Sequence, residues 1–277
     1  MQKKIYTSAP LPFMGQKRRF AGEFKKVLEQ YPDDITIVDL FGGSGLLSHI
    51  AKRIKPNARV IYNDYDDYTE RLSNIPWTNA IIARIREITA SIPKHKVISE
   101  SIKEKILALI KSEQEARGYV DYLTISSSLL FSSKYATCYE DLKRETFYSK
   151  VRKSDYDASG YLDGIDVVHQ DYKALFDDYK DIPAVLFLVD PPYLSTDVGS
   201  YRMFWKLSDY LDVLTVLVGH RFVYFTSDKS GIVELCEWMG KHPDLGNPFT
   251  EAKRIDIGAC LNYNSTYTDT MIYKTAA

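Results

Sequence analysis

The residues best suited to chemistry are Asp190-Pro191-Pro192-Tyr193, which follow the apolar run Ala184 to Val189. Two prolines remove two backbone N–H donors and fix the chain, yet leave the Pro191 carbonyl as an acceptor. A carboxylate, a rigid carbonyl and an aromatic ring then gather at the carboxyl end of a strand. Such a set suits a planar ring bearing an exocyclic amino group. Asp190 and the Pro191 carbonyl each accept one amino hydrogen, while Tyr193 stacks on the ring. Taken alone, the same four residues could be a proline-rich turn with no ligand.

An earlier motif, Asp39-Leu40-Phe41-Gly42-Gly43-Ser44-Gly45, closes one apolar run and opens a helical one. Glycines let a backbone approach a ligand closely, and a helix start offers free N–H groups. The spacing Gly43-x-Gly45-x-x-Ser48 is one residue from a dinucleotide fingerprint. Asp64 lies about 20 residues on, where an acidic side chain can hold ribose hydroxyls. These features suit a nicotinamide dinucleotide or S-adenosylmethionine equally, and a tight turn without a ligand remains a third reading. The Asp190 to Tyr193 group decides for amino-group methylation, because nothing in hydride transfer explains two prolines and a tyrosine.

Several elements must position these residues. Phe20, Phe24, Val27, Leu28 and Tyr31 recur at helical spacing and predict a first amphipathic helix. Ile35 to Phe41 reads as a strand buried on both faces, Leu46 to Ile54 as a helix and Arg59 to Tyr62 as the next strand: a βαβ unit. Strands over Ile165 to His169, Ala184 to Val189 and Arg221 to Thr226 alternate with helices over Tyr172 to Tyr179, Leu207 to Val218 and Gly231 to Met239. Arg254 to Ala259 and Thr270 to Tyr273, around a polar Asn262 to Thr268 loop, predict a terminal hairpin. The alternation predicts an α/β fold, a doubly wound Rossmann-like sheet formed by residues 1–64 and 165–277. Residues 65–164 break the pattern and read as an inserted, mostly helical domain. Its helices are marked by Ile81, Ile82, Ile85 and Ile88, then by Ile98, Ile102, Ile106, Leu109 and Ile110.

The chain has 277 residues, with 36 Lys and Arg against 37 Asp and Glu. Near neutrality does not favour a nucleic-acid protein, but the basic residues cluster. Lys17, Arg18, Arg19, Lys25 and Lys26 form one group, and Lys143, Arg144, Lys150, Arg152 and Lys153 another. Phe147, Tyr148 and Tyr156 interleave with the second group and offer rings on which unpaired bases can stack. Cys138, Cys236 and Cys260 lack metal or disulfide spacing, and the five histidines sit apart, so no metal site is expected. His49 reads as structural rather than catalytic. Ser227-Asp228 ends a strand near the expected pocket and is a candidate to line it. The sequence is read as carrying neither a signal peptide nor an apolar run of membrane-spanning length, and the scattered cysteines make a reducing cytoplasm the expected location.

The sequence resembles the Dam-type DNA adenine methyltransferases over most of its length. The likeness is carried by Pro12-Phe13-Met14-Gly15-Gln16-Lys17, the glycine motif with Asp39 and Phe41, Asp64, and Asp190 to Tyr193. It also rests on their order: cofactor elements, an inserted target-recognition domain, then the catalytic motif. Met14 and Gln16 stand where that family usually has small residues. The resemblance implies S-adenosylmethionine as cofactor, double-stranded DNA as substrate and transfer of a methyl group to the N6 amino group of a flipped adenine. A cognate restriction endonuclease is a partner that such enzymes can have. It further implies that Phe13 and Lys17 help hold the cofactor, with Asp39, Phe41, Gly42, Gly43, Ser44 and Gly45 around it. Asp64 is then assigned to its ribose, and Asp171 with Tyr172 to its adenine. Methylation of cytosine N4 or of RNA adenine uses the same kind of site and stays open. So does a non-catalytic DNA-binding or cofactor-sensing protein, although an intact Asp190 to Tyr193 argues against it.

Overall fold

Short apolar runs bounded by glycine or aspartate become the interior of a sheet, because both of their faces can be covered by helices. A computed structural model describes residues 5–131, 134–192, 205–242, 246–262 and 265–275. Its strands are β1 (Thr36–Asp39), β2 (Arg59–Asn63), β3 (Asp166–Val168), β4 (Val185–Val189), β5 (Arg221–Ser227), β6 (Lys253–Asn262) and β7 (Ser265–Lys274). They form one sheet in the order β3-β2-β1-β4-β5-β7-β6. The five from β3 to β5 are parallel, and β7 runs antiparallel between β5 and β6. This is the doubly wound α/β sheet with a terminal hairpin that the sequence predicts. Chain order reverses between β1 and β4, and ligands in such sheets bind outside the carboxyl ends of the strands at that reversal.

The chain divides into two compact units. The first comprises Met1–Ser8, Gln16–Asp66 and Leu162–Ala277 and holds the sheet. Alternate residues of its strands face opposite sides. Ile37, Leu186, Leu188, Val223, Phe225 and Met271 pack with α1 (Ala21–Leu28) and α2 (Leu46–Ile54). Val38, Phe187, Val189, Phe222, Tyr224 and Ile272 pack with α8 (Tyr172–Tyr179), α9 (Leu207–Leu217) and α10 (Ile232–Met239). Truncating a fully buried ring such as Phe225, which meets Phe20 and Phe24 edge-on, would cost about 3–5 kcal/mol. His49 is buried in this unit and accepts the Tyr6 N–H at 2.9 Å, which is the structural role expected of it.

The second unit comprises Ala9–Gly15 and Asp67–Tyr161, with α3 (Tyr68–Ser73), α4 (Ile75–Ile88), α5 (Glu100–Arg117), α6 (Tyr122–Ser127) and α7 (Tyr139–Arg144). Asp121 caps α6, accepting the Thr124 N–H at 3.0 Å and its hydroxyl at 2.6 Å. Buried Arg71 donates to the same carboxylate at 3.2 Å and to the Pro12 carbonyl at 2.8 Å. The Tyr68 hydroxyl accepts the Leu11 N–H at 3.0 Å and lies 3.2 Å from the Leu11 carbonyl. Residues 9–15 therefore belong structurally with the helices, although they precede β1 in sequence.

The terminal hairpin differs from expectation in length. Residues 265–268, read from the sequence as loop, are strand. Their polar side chains concealed this. The backbone pairs with β6 at Gly258↔Thr268, Ala259↔Tyr267 and Cys260↔Thr266, beyond the end of β5, so no apolar alternation is required there.

Candidate active site

The glycine turn is shaped by what lies against it. A Cβ on Gly42 would sit 2.2 Å from the Tyr62 ring and 2.8 Å from the Asn63 carbonyl, so only glycine lets β1 and β2 close here. Gly45 adopts φ 69° at the start of α2, a left-handed conformation that side chains resist, and Gly43 is likewise left-handed. The Tyr62 hydroxyl lies 2.7 Å from the Gly43 carbonyl and 2.9 Å from Asp64 Oδ1, tying the turn to the acidic end of β2. Asn63 donates to the carbonyls of Leu40 and Gln170, both at 3.0 Å, and accepts the Gln170 N–H. The ends of β1, β2 and β3 are thus held together by a buried amide to which sequence reasoning gave no role.

At the end of β1, Asp39 is fully buried. Its Oδ2 accepts the Ser48 hydroxyl at 2.6 Å, and its Oδ1 has no hydrogen-bond partner among the described residues. Burial pushes its pKa up to about 7. Ser48 opposes that rise, the neighbouring Asp190 charge adds to it, and Lys17 opposes it. A buried carboxylate with an orphaned oxygen beside a helix N-terminus wants a cationic donor. The ammonium of the methionine portion of S-adenosylmethionine has that chemistry, so the residues present fit that cofactor.

Asp190 follows β4, next to β1 at the sheet's reversal. Lys17 Nζ donates to Asp190 Oδ2 at 2.5 Å, with the two side chains 9% and 18% exposed. Lys17 also sits 5.9 Å from the centre of the Phe225 ring, so the pair has an apolar floor. Burial raises the Asp190 pKa above the usual carboxylate range, and Lys17 opposes that rise as charge and as hydrogen-bond donor. The sequence placed Lys17 with the cofactor. The structure pairs it with Asp190, a contact between residues far apart in the chain that no local pattern could reveal. Pro191 is buried and Pro192 half-buried, while Tyr193 lies outside the described residues.

Beside the glycine turn stands an aromatic wall. Tyr172 packs on Phe41 at 4.8 Å between ring centres and stacks on Trp205 at 5.9 Å. Trp205, missed in the sequence, also approaches Phe41 at 5.7 Å. Asp171 is exposed and caps α8 through the Lys173 N–H at 2.8 Å. Phe13 lies in the helical unit, edge-on to Tyr68 at 5.6 Å. Asp228 accepts the Thr268 N–H at 2.8 Å and so fastens the hairpin to the end of β5.

In the helical unit the structure corrects the reading of two of the three aromatic residues among the basic cluster. Phe147 is fully buried and Tyr156 is 7% exposed, so both belong to the interior and are not platforms for bases. Lys150 donates to the Leu130 carbonyl at 2.6 Å. Lys143, Arg144, Arg152 and Lys153 remain exposed. Among the described residues no helix is long and apolar enough to cross a membrane.

The family model for the D12 class N6 adenine-specific DNA methyltransferase matches residues 13–213. A Haemophilus influenzae protein described as "Putative methyltransferase" is 40% identical over 285 residues, covering 98% of this chain and 94% of its own. A precorrin-6y C5,15-methyltransferase from Geobacter metallireducens aligns at 10% identity over 98% of this chain and all of its own, with a TM-score of 0.37. An rRNA methylase from Streptococcus thermophilus aligns at 10% identity over 95% of this chain and 99% of its own, with a TM-score of 0.33. Scores this low carry no argument.

Proposed function

Because this chain belongs to the D12 class N6 adenine-specific DNA methyltransferase family, we propose that adenine is methylated at the carboxyl end of β4, with Asp190 as the acceptor that activates its amino group. The observation that carries this reading is the Lys17–Asp190 pair. Lys17 occupies Oδ2 and opposes the rise in pKa that burial imposes on the carboxylate, which leaves Oδ1 for one amino hydrogen. The Pro191 carbonyl takes the other, since the following proline has no N–H to compete for it. Two acceptors draw the amino nitrogen from planarity and aim its lone pair. Positive charge grows on that nitrogen as it is methylated, so the bond to Asp190 strengthens in the transition state.

The glycine turn and the aromatic wall would hold S-adenosylmethionine, which would supply the electrophilic methyl group. Asp39 Oδ1 would hold its ammonium, Asp64 its ribose hydroxyls, and Phe41 and Tyr172, with Trp205, its adenine ring; Asp171 marks the start of α8 beside them. The target base is inaccessible inside a duplex and must be flipped, at a cost of a few kcal/mol. The helical unit, with Arg144, Arg152 and Lys153 exposed, serves target recognition and offsets that cost through phosphate contacts. Mapping modified bases in DNA from cells expressing the protein tests the reaction. N6-methyladenine at one recurrent sequence is expected, and its absence, or N4-methylcytosine in its place, overturns the reading. Calorimetry with S-adenosylmethionine and with NAD tests the cofactor, and binding of NAD alone would refute it.

A further inference from the structure

The hairpin outruns its neighbour. Pairing of β5 with β7 stops at Ser227↔Asp269, whereas β6 and β7 continue through Gly258↔Thr268 and Ala259↔Tyr267 to Asn262↔Ser265. Because β5 is parallel to β4, this overhang lies beyond the same edge of the sheet as Asp190. It is fastened there twice: the Asp228 N–H donates to the Thr268 carbonyl at 2.9 Å, and the Thr268 N–H donates to Asp228 Oδ2 at 2.8 Å. One exposed cation flanks its root, and a second, Arg19, lies in the short helical turn between Lys17 and Phe20. Lys229 Nζ stands 4.6 Å over the Tyr267 ring. Arg19 lies within electrostatic reach of the same ring: burial raises the Tyr267 hydroxyl, Asp269 adds to this and Arg19 opposes it. Asp190 in turn feels the Asp269 charge, which ties the root of the overhang to the catalytic carboxylate.

We infer that Arg19, Lys229 and Tyr267, at the root of the protruding β6–β7 hairpin, form a rim on the sheet unit that grips the phosphodiester backbone of DNA next to the methylated adenine. The inference rests on the adenine-methyltransferase reading and adds a contact surface outside the helical unit. Its chemistry is that of cation and aromatic ring together. Lys229 and Arg19 neutralise phosphates, and Tyr267 fixes the Lys229 stem while offering a face to an adjacent sugar or base. The acidic neighbour Asp228 is turned to the hairpin's own Thr268 N–H. A grip placed here holds the strand on which the base is swung out, so that flipping moves the base and not the backbone.

The test is binding of a fluorescent duplex of arbitrary sequence, since phosphate contacts are indifferent to sequence, across a salt series. Wild type is compared with Arg19→Gln, Lys229→Gln and the double variant. Each single variant is expected to weaken DNA binding about five- to tenfold and to reduce the slope of log affinity against log salt by about 0.9. The double variant should lose about twice as much slope, with thermal unfolding and S-adenosylmethionine affinity unchanged, and Lys229→Arg should restore binding. A salt slope equal to wild type overturns the inference, including when affinity falls, because that pattern means a distorted hairpin rather than a lost phosphate contact. Failure of the underlying reading would look different: the wild type itself would not methylate adenine.

Discussion

Two buried ion pairs, one in each unit, show how the same chemistry serves different ends. In the helical unit Arg71 and Asp121 are 8% and 2% exposed, and both oxygens of the carboxylate are engaged. The guanidinium donates to Asp121, Thr124 and the Pro12 carbonyl, and the carboxylate also takes the N–H and the hydroxyl of Thr124. In the sheet unit Lys17 and Asp190 are nearly as enclosed, yet Asp190 Oδ1 takes no hydrogen bond from any described residue. A saturated pair can only hold its surroundings together. A pair with one acceptor in reserve, at a strand end, has something left to offer a substrate.

The largest expected effect comes from breaking the saturated pair. Arg71→Met strands a buried carboxylate and should cost about 3–5 kcal/mol of stability in denaturant unfolding. Adding Asp121→Leu should return much of it, because no charge is then left unpaired. A single variant as stable as wild type would mean that Arg71 is not what fastens residues 9–15 to the helices.

Asp190→Ala should instead leave unfolding unchanged and lower single-turnover methylation about 10²-fold or more, with cofactor affinity retained. Equal losses in stability and rate would reduce this pair to the same structural role as the other. Lys17→Met sharpens the point through pH. Lys17 holds down a carboxylate pKa that burial raises, and activity requires the ionised form, so removing the ammonium must move the acidic limb of the pH–rate profile to higher pH. An unmoved limb would show that Lys17 does not act through Asp190.

The smallest effects belong to the exposed basic residues of the helical unit. Changing Arg144, Arg152 and Lys153 to Gln should weaken DNA binding a few-fold per charge and flatten its salt dependence, with cofactor affinity untouched. Full retention of both would make that cluster a solvated face and leave recognition to other residues of the unit.

What the sequence revealed follows from range. The strands, the glycine turn and the Asp190 motif are local patterns of apolar periodicity and backbone permissiveness, and they could be read directly. The Lys17–Asp190 contact joins residues 173 positions apart, and the packing of Trp205 on Phe41 is also long-range, so neither leaves a local trace. Phe147 and Tyr156 misled for a related reason: an aromatic among charges looks exposed until the fold shows which way it turns. Asp39 was recognised as part of the turn, but its raised pKa comes from depth and from Asp190, which composition cannot express.

The sheet's reversal also sets a timetable for the nascent chain. β1 finds β4 as a neighbour only when Thr36 meets Val185, 149 residues later. At about 5–20 residues per second, synthesis leaves that edge of β1 unpaired for roughly seven to thirty seconds. Residues 67–161 of the helical unit are all made within this interval, after residues 9–15, so the unit can form during it. An open strand edge invites pairing with other chains. Mutations that slow folding of the helical unit should therefore appear in the cell first as loss of soluble protein, before any defect in methylation can be seen.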